Sequence, residues 1–351
     1  MNNQNELENE IYAMQMELLE EIYPSRLKTL SMTDLYDTTF ESQPSLIEGF
    51  LNRGTYLFVG SPKVGKSFFM LQIAYHISTG TPLWAHTVRK AAVLYLALED
   101  DYKRLQKRLF QMFGENESEN LYLATQCKTI GSGLDDQIKG FMQEHPDTGL
   151  IIIDTLKRVR DPDGADYSYA NDYDIVAKLK ALADSHGITM LIVHHTRKQK
   201  AEDVFDMISG TNGLMGAADG AFVLRKEDRT TDSATLDVVG RDQQDMKLYL
   251  KRDRERLVWD YIKTENEVYK EPPDPLLERI SDFLSSEGDR WDGAASALCK
   301  ELAVDMKPNV LSLRLSIQAS RMFEDYGIRY QNSRSHDSRK VSLWRENNAT
   351  A

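Results

Sequence analysis

With 351 residues, 41% of them hydrophobic, the chain is long enough for one full-sized core and a smaller second one. A net charge of −12 excludes a protein that coats nucleic acid indiscriminately, because neutralising phosphates takes a local excess of Lys and Arg. The two cysteines, Cys127 and Cys299, stand far apart and outside any Cys-x-x-Cys pattern, which excludes a disulfide framework and a structural zinc site.

The first residues carry no basic and then apolar leader, and no stretch reaches the roughly 18 apolar residues of a membrane span. A soluble, cytoplasmic protein with no membrane partner is expected. Residues 1–44 read as an acidic N-terminal helical arm. Up to residue 50 the chain holds ten acids against Arg26 and Lys28, so this stretch carries −8 of the net charge and leaves the remainder at only −4. Leu7, Ile11, Met14, Leu18 and Ile22 recur three or four apart, one apolar face of a helix over 6–22. That face packs on the chain's own core or docks on a neighbouring subunit.

From residue 45 to 268, short β-branched and aliphatic runs alternate with helical patterns, which predicts an α/β domain with a mainly parallel sheet covered by helices. Strands are expected at 55–60, 92–98, 149–154 and 188–194, then at 220–225, 234–240, 245–251 and 256–262. The last four lack long intervening helices and should extend the sheet as antiparallel hairpins. Three prolines in Glu271-Pro272-Pro273-Asp274-Pro275 mark a linker over 269–275. Beyond it, 276–351 shows helical patterns at 275–287, 293–304 and 308–325, then two short strands around a basic tip, the pattern of a winged helix.

Gly60-Ser61-Pro62-Lys63-Val64-Gly65-Lys66-Ser67 follows the apolar run Thr55–Val59 and opens a helix at Phe68. Glycines at these positions let the backbone wrap an anion, so that successive N–H groups and the helix start meet the β- and γ-phosphates of ATP. Lys66 adds positive charge, and the Ser67 hydroxyl is placed to ligate Mg2+. Leu150-Ile151-Ile152-Ile153-Asp154 delivers a second metal-side group, Asp154, to a strand end. Val93–Asp100 ends another strand in two acids; Glu99 is the candidate to polarise the attacking water, and Asp100 is expected to cap the helix near Tyr102. A fourth strand ends in His194-His195, where one ring is suited to sensing the γ-phosphate; His194 is expected to face the site.

These segments, with Ile208–Gly220, resemble the RecA-like AAA ATPases that include the hexameric plasmid replicative helicase RepA, over about residues 45–262. The resemblance implies an ATP-hydrolysing core that assembles as a homo-oligomeric ring, usually a hexamer, with nucleotide between subunits. It places an arginine finger at Arg241, although Val239 stands where hexameric relatives often have Lys, so that Arg225 or Lys226 is expected to share the role. It also places single-stranded DNA on loops carrying Lys157, Arg158 and Arg160, then Arg197, Lys198 and Lys200. The C-terminal segment resembles the winged helices of phage and plasmid replication ATPases, with Arg334, Arg339 and Lys340 as duplex contacts within a patch that also holds Arg329 and Arg345. The expected function is an ATP-dependent DNA motor of a plasmid, phage or mobile element acting in replication. The alternatives are a nucleotide-gated initiator or regulator without motor activity, and a protein-directed signalling ATPase.

Overall fold

The computed structural model describes residues 29–39, 44–160, 169–195, 205, 208, 212–226, 228, 231–241, 243–265, 273–334 and 339–346. The predicted helix over 6–22, residues 269–272 of the linker, the Arg197–Lys200 run and the hairpin tip at Ser335–Ser338 lie outside them. Contacts divide the chain into two compact units, Gln43–Pro272 and the described part of Met1–Ser42 together with Pro273–Ala351.

In chain order the elements of the larger unit are β1 (Thr55–Gly60), α2 (Lys66–Thr79), β2 (Ala92–Ala97), α3 (Tyr102–Phe113), β3 (Leu121–Ala124), α4 (Leu134–Glu144), β4 (Thr148–Asp154), α5 (Tyr169–His186), β5 (Thr189–His195), α6 (Asn212–Ala217), β6 (Gly220–Arg225), β7 (Ser233–Gly240), β8 (Gln243–Arg252) and β9 (Trp259–Thr264). Helix α1 (Met32–Asp37) precedes them and belongs to the smaller unit. The nine strands form one sheet in the order β3-β2-β4-β5-β1-β6-β7-β8-β9. Strands β3 to β6 in this order run parallel, and β7, β8 and β9 are antiparallel additions. The strands at 220–225 and 233–240 form the expected antiparallel hairpin, and β6 also pairs in parallel with β1, which joins that hairpin to the parallel sheet.

Side-chain alternation sorts the central strands onto two faces. Phe58, Tyr95, Leu150, Ile152, Leu191 and Val193 pack with Phe69, Met70, Ile73 and Ile77 of α2. Leu57, Val59, Ile151, Ile153, Met190 and Ile192 pack with Leu134 and Ile138 of α4 and with Val176, Leu179 and Ala183 of α5. Both faces are covered, so these strands read as continuous apolar runs. Truncating one such residue, for example Ile152→Ala, costs about 2–5 kcal/mol. Ahead of β1, Asp219 accepts the Thr55 N–H at 2.9 Å and is itself held by Lys180 at 2.6 Å, which fixes where the strand begins.

The smaller unit contains α7 (Pro275–Ser286), β10 (Arg290–Ala294), α8 (Ala295–Glu301), α9 (Pro308–Ile317), α10 (Ala319–Tyr326), β11 (Ile328–Arg334) and β12 (Arg339–Arg345). Its three strands pair antiparallel in the order β10-β12-β11. Leu277, Ile280, Leu284, Leu298, Leu311, Leu315, Met322, Ile328, Val341 and Leu343 form its core. Asp274 caps α7 through the Leu276 N–H at 2.8 Å and also accepts from Arg314 at 3.1 Å and Gln318 at 2.6 Å. Helix α1 lies against α9 and β11. Two expected helices change shape. Residues 290–294 pair with β12 as a strand, and the run 308–325 breaks at Gln318, whose φ of −94° and ψ of 9° end α9. No helix among the described residues is long and apolar enough to cross a membrane.

Candidate phosphate and metal site

Strand β1 leads into the loop Gly60–Gly65 and then α2, so the loop sits at the C-terminal end of a central parallel strand, with the positive end of a helix at its back. Gly65 has φ of 112°, a conformation open to glycine, and Lys63 has φ of 65°. At Gly60 a Cβ would lie 2.7 Å from the Leu224 carbonyl oxygen, so the β6 backbone approaches too closely for any side chain. Ser61, Pro62 and Lys63 are exposed, whereas Val64 and Lys66 are buried.

The Lys66 ammonium donates to the Gly60 carbonyl at 2.7 Å and the Ser61 carbonyl at 3.1 Å, and it meets His195 Nδ1 at 3.0 Å. Burial pushes it down to about 8, against the opposing pull of Asp154 and Glu99. His195 is also held below its ordinary value, first by burial and then by the Lys66 charge. A neutral ring that accepts from Lys66 at Nδ1 carries its proton on Nε2.

Ser67 Oγ donates to Asp154 Oδ2 at 2.7 Å, and the hydroxyl of the fully buried Tyr95 donates to the same oxygen at 2.9 Å. Burial raises the Asp154 carboxyl, while these two hydrogen bonds and Lys66 draw it back down. Ser67 and Asp154 thus supply two hard oxygens side by side, the donor type Mg2+ prefers. No cluster of three or more His, Cys, Asp or Glu suited to a metal exists among the described residues. This donor set fits a Mg2+ whose remaining ligands are water and phosphate oxygens. Thr155, next along the chain, donates to Glu99 Oε1 at 3.3 Å, which turns the exposed Glu99 carboxylate towards this group.

Strand parity explains the convergence. Asp154 shares a face of β4 with Leu150 and Ile152, Tyr95 is on that face of β2, and His195 falls in step with Leu191 and Val193 of β5. His194 has the opposite parity and is buried. The expectation for His194 is therefore corrected: His195 is the ring beside Lys66. A second correction concerns α3. Asp101 is its N-cap, accepting from the Arg104 N–H at 2.7 Å, while Asp100 receives Arg104 at 3.1 Å and Arg108 at 2.5 Å. Phe68, after Ser67, carries the Arg252 guanidinium 4.3 Å and the Arg108 guanidinium 4.9 Å from its ring centre.

The other expected residues are spread out. Arg241, in the exposed turn between β7 and β8, donates to the Gly216 carbonyl at 3.2 Å. Of the residues expected to share its role, Arg225 is paired to Asp237 at 2.8 Å, and Lys226 donates to the Thr231 carbonyl at 3.0 Å. Arg158 and Lys157 are exposed on a 3-10 turn at Leu156–Arg158, whereas Arg160 is engaged by Asp172 at 2.6 Å. Arg160 is accordingly less available to a phosphate than the sequence suggests. In the smaller unit Lys340 is exposed, Arg334 and Arg339 pair in register across β11 and β12, and Arg329 and Arg345 are tied to Glu346 and Asp289.

Sequence reasoning missed Tyr95, although a tyrosine inside an apolar strand signals a hydroxyl that needs a buried partner. It also missed Trp259, the largest fully buried side chain among the described residues.

No curated protein matches the chain. Among solved structures, an ATPase domain is similar at 15% identity and a TM-score of 0.51, covering 60% of this chain and 85% of that one. A DnaB-like replicative helicase, solved with a view to its interactions with primase, is similar at 15% identity and a TM-score of 0.54, covering 74% of each chain. Identities this low establish a shared α/β fold with a mainly parallel central sheet. The AAA domain family model (AAA_25) matches residues 22–201, just over half of the sequence, and spans β1 to β5 with the whole phosphate loop, so the chain belongs to the AAA domain family.

Proposed function

We propose that this chain is a Mg2+-dependent ATPase of the replicative DNA helicase type, of plasmid, phage or mobile-element origin, working as a homo-oligomeric ring, usually a hexamer, on single-stranded DNA. The observation that carries the reading is the meeting of Lys66, Ser67, Asp154, Tyr95 and His195 at the phosphate loop, all on one face of the sheet.

Residues 63–68 would present backbone N–H groups to the phosphates, and the Lys66 ammonium would exchange its two loop carbonyls for phosphate oxygens. Ser67 and Asp154 would hold Mg2+, which neutralises charge on the β- and γ-phosphates when bound. Glu99, oriented by the Thr155 hydroxyl, would take the proton of the attacking water. The Nε2–H of His195 would donate to the γ-phosphate and report its presence to the segment that follows β5.

Arg241 fits a role in trans. Gly240 pairs with Gly220, and Gly220 is level with Tyr56, four residues before Gly60 on β1. At about 3.3 Å per residue, Arg241 lies roughly 13 Å or more along the sheet from its own phosphate loop. Its own phosphate loop is then beyond its guanidinium, and the loop it would complete is that of a neighbouring copy. Lys157 and Arg158 are exposed cations that would meet a DNA strand. The smaller unit supports a winged-helix reading, with Lys340 and the hairpin as duplex contacts.

Steady-state ATPase measured with and without single-stranded DNA over a salt series tests the motor reading. Stimulation that salt removes, followed by strand displacement, is the expected result. An ATPase rate indifferent to DNA at low salt would sink the helicase claim and favour a protein-directed ATPase.

A further inference from the structure

One edge of the large sheet is β9, and its first residue, Trp259, is fully buried. Its N–H donates to Gln72 Oε1 at 2.8 Å, and its carbonyl accepts from Gln72 Nε2 at 2.9 Å. A single side-chain amide on α2 thus takes the place of a further strand at this point of the edge. The Trp84 indole N–H donates to the same carbonyl at 2.8 Å.

The Trp259 indole runs beneath the phosphate loop. A Cβ built on Gly65 would lie 2.9 Å from Trp259 Cζ2, and the indole N–H reaches the Gly65 carbonyl at 3.5 Å. The ring therefore supports the residue that must hold φ of 112° for the loop to close. The Arg252 guanidinium is 5.9 Å and the Lys226 ammonium 5.5 Å from the ring centre. Gln72 is buried inside α2, the helix that begins with Lys66 and Ser67. One aromatic residue on an edge hairpin thereby touches the loop, and its backbone grips the loop's helix.

We propose that Trp259 is a positioning residue for nucleotide binding. It fixes the Gly65 main chain and, through Gln72, couples the β8–β9 hairpin to the phosphate loop, so that a displaced hairpin weakens the hold on the triphosphate. The proposal rests on the ATP-binding reading of that loop.

The test measures KM and kcat for ATP, and the affinity for a fluorescent ATP analogue, in wild type, Trp259→Leu, Trp259→Phe and Gln72→Met. Loss of the support is expected to raise KM in Trp259→Leu by about tenfold, the equivalent of one net hydrogen bond's worth of positioning, with kcat unchanged. Trp259→Phe, which keeps an aromatic ring in place, should recover part of this. Where Trp259→Leu does not fold, Gln72→Met carries the test, since it leaves the indole and removes only the two edge hydrogen bonds. Folded variants with wild-type KM and analogue affinity would overturn the proposal while leaving the ATP reading intact. A wild type that binds no nucleotide would overturn both.

Discussion

Tyr95→Phe isolates one hydrogen bond at the metal side of the site. The Tyr95 ring is fully buried against Asp154, and its hydroxyl donates to Asp154 Oδ2 at 2.9 Å, the oxygen that Ser67 Oγ also reaches at 2.7 Å. Phenylalanine keeps the ring packing and removes only this donor. A hydrogen bond to a charged group contributes about 1.5–3 kcal/mol net, so the carboxylate form of Asp154 loses roughly that much support. Because every 1.4 kcal/mol is about a factor of ten, the Mg2+ concentration needed for half-maximal hydrolysis should rise about tenfold or more. The sign of the pH effect follows from the same bond. Burial already raises the Asp154 carboxyl and the Tyr95 hydroxyl lowers it, so removing the hydroxyl raises it further. The variant's Asp154 then takes up its proton at a higher pH, and the acidic limb of kcat/KM moves towards neutrality. A Mg2+ titration and a pH profile of MgATP hydrolysis read both effects. A folded variant whose Mg2+ requirement and acidic limb coincide with wild type would refute the metal-side role of this group.

Three further perturbations separate the roles of loop, lysine and cap. Burial holds Lys66 at about 8 rather than 10.5 in the folded chain, so its neutral form favours folding. That contribution is present above 10.5 and is lost as the pH falls through about 8, and the stability gap between wild type and Lys66→Met in urea should change across this window alone. Gly65→Ala places a Cβ 2.9 Å from Trp259 Cζ2 at φ of 112°, and should cost about 1–3 kcal/mol in urea unfolding and abolish nucleotide binding. A wild-type midpoint would mean that the loop does not need this glycine. Asp274→Ala removes the cap of α7 and the acceptor for Arg314 and Gln318, so hydrogen exchange in α7 and α9 should speed up by the equivalent of about 1–2 kcal/mol, with Asp274→Asn keeping most of the protection.

The phosphate loop was legible because its chemistry is local: glycines, Lys66 and Ser67 occupy fixed offsets between an apolar run and a helix. Strands β1, β2, β4 and β5 were legible as apolar runs for the same reason that hid their faces. With both sides of the sheet covered, nothing in Met190-Leu191-Ile192-Val193-His194-His195 says which histidine turns towards α2. That choice is fixed by the register with β4, where Ile152 is level with Leu191, and register is a tertiary property. Strand β3 escaped notice because Leu121–Ala124 is four residues long and only half-buried at the sheet's edge. The 3.6-residue period ran through Gln318 because Leu311, Leu315 and Met322 keep facing one core on both sides of the break. Trp259 gave no sequence signal for its place under Gly65, since the contact joins residues 194 positions apart.

The central claim is that Lys66, Ser67 and Asp154 hold MgATP for a water that Glu99 activates. Its most direct test is single-turnover ATP hydrolysis, with nucleotide binding read in parallel, in wild type, Lys66→Ala and Glu99→Gln. The expected result is binding and hydrolysis in wild type, neither in Lys66→Ala, and binding without turnover in Glu99→Gln. Wild-type rates in either variant would contradict the account.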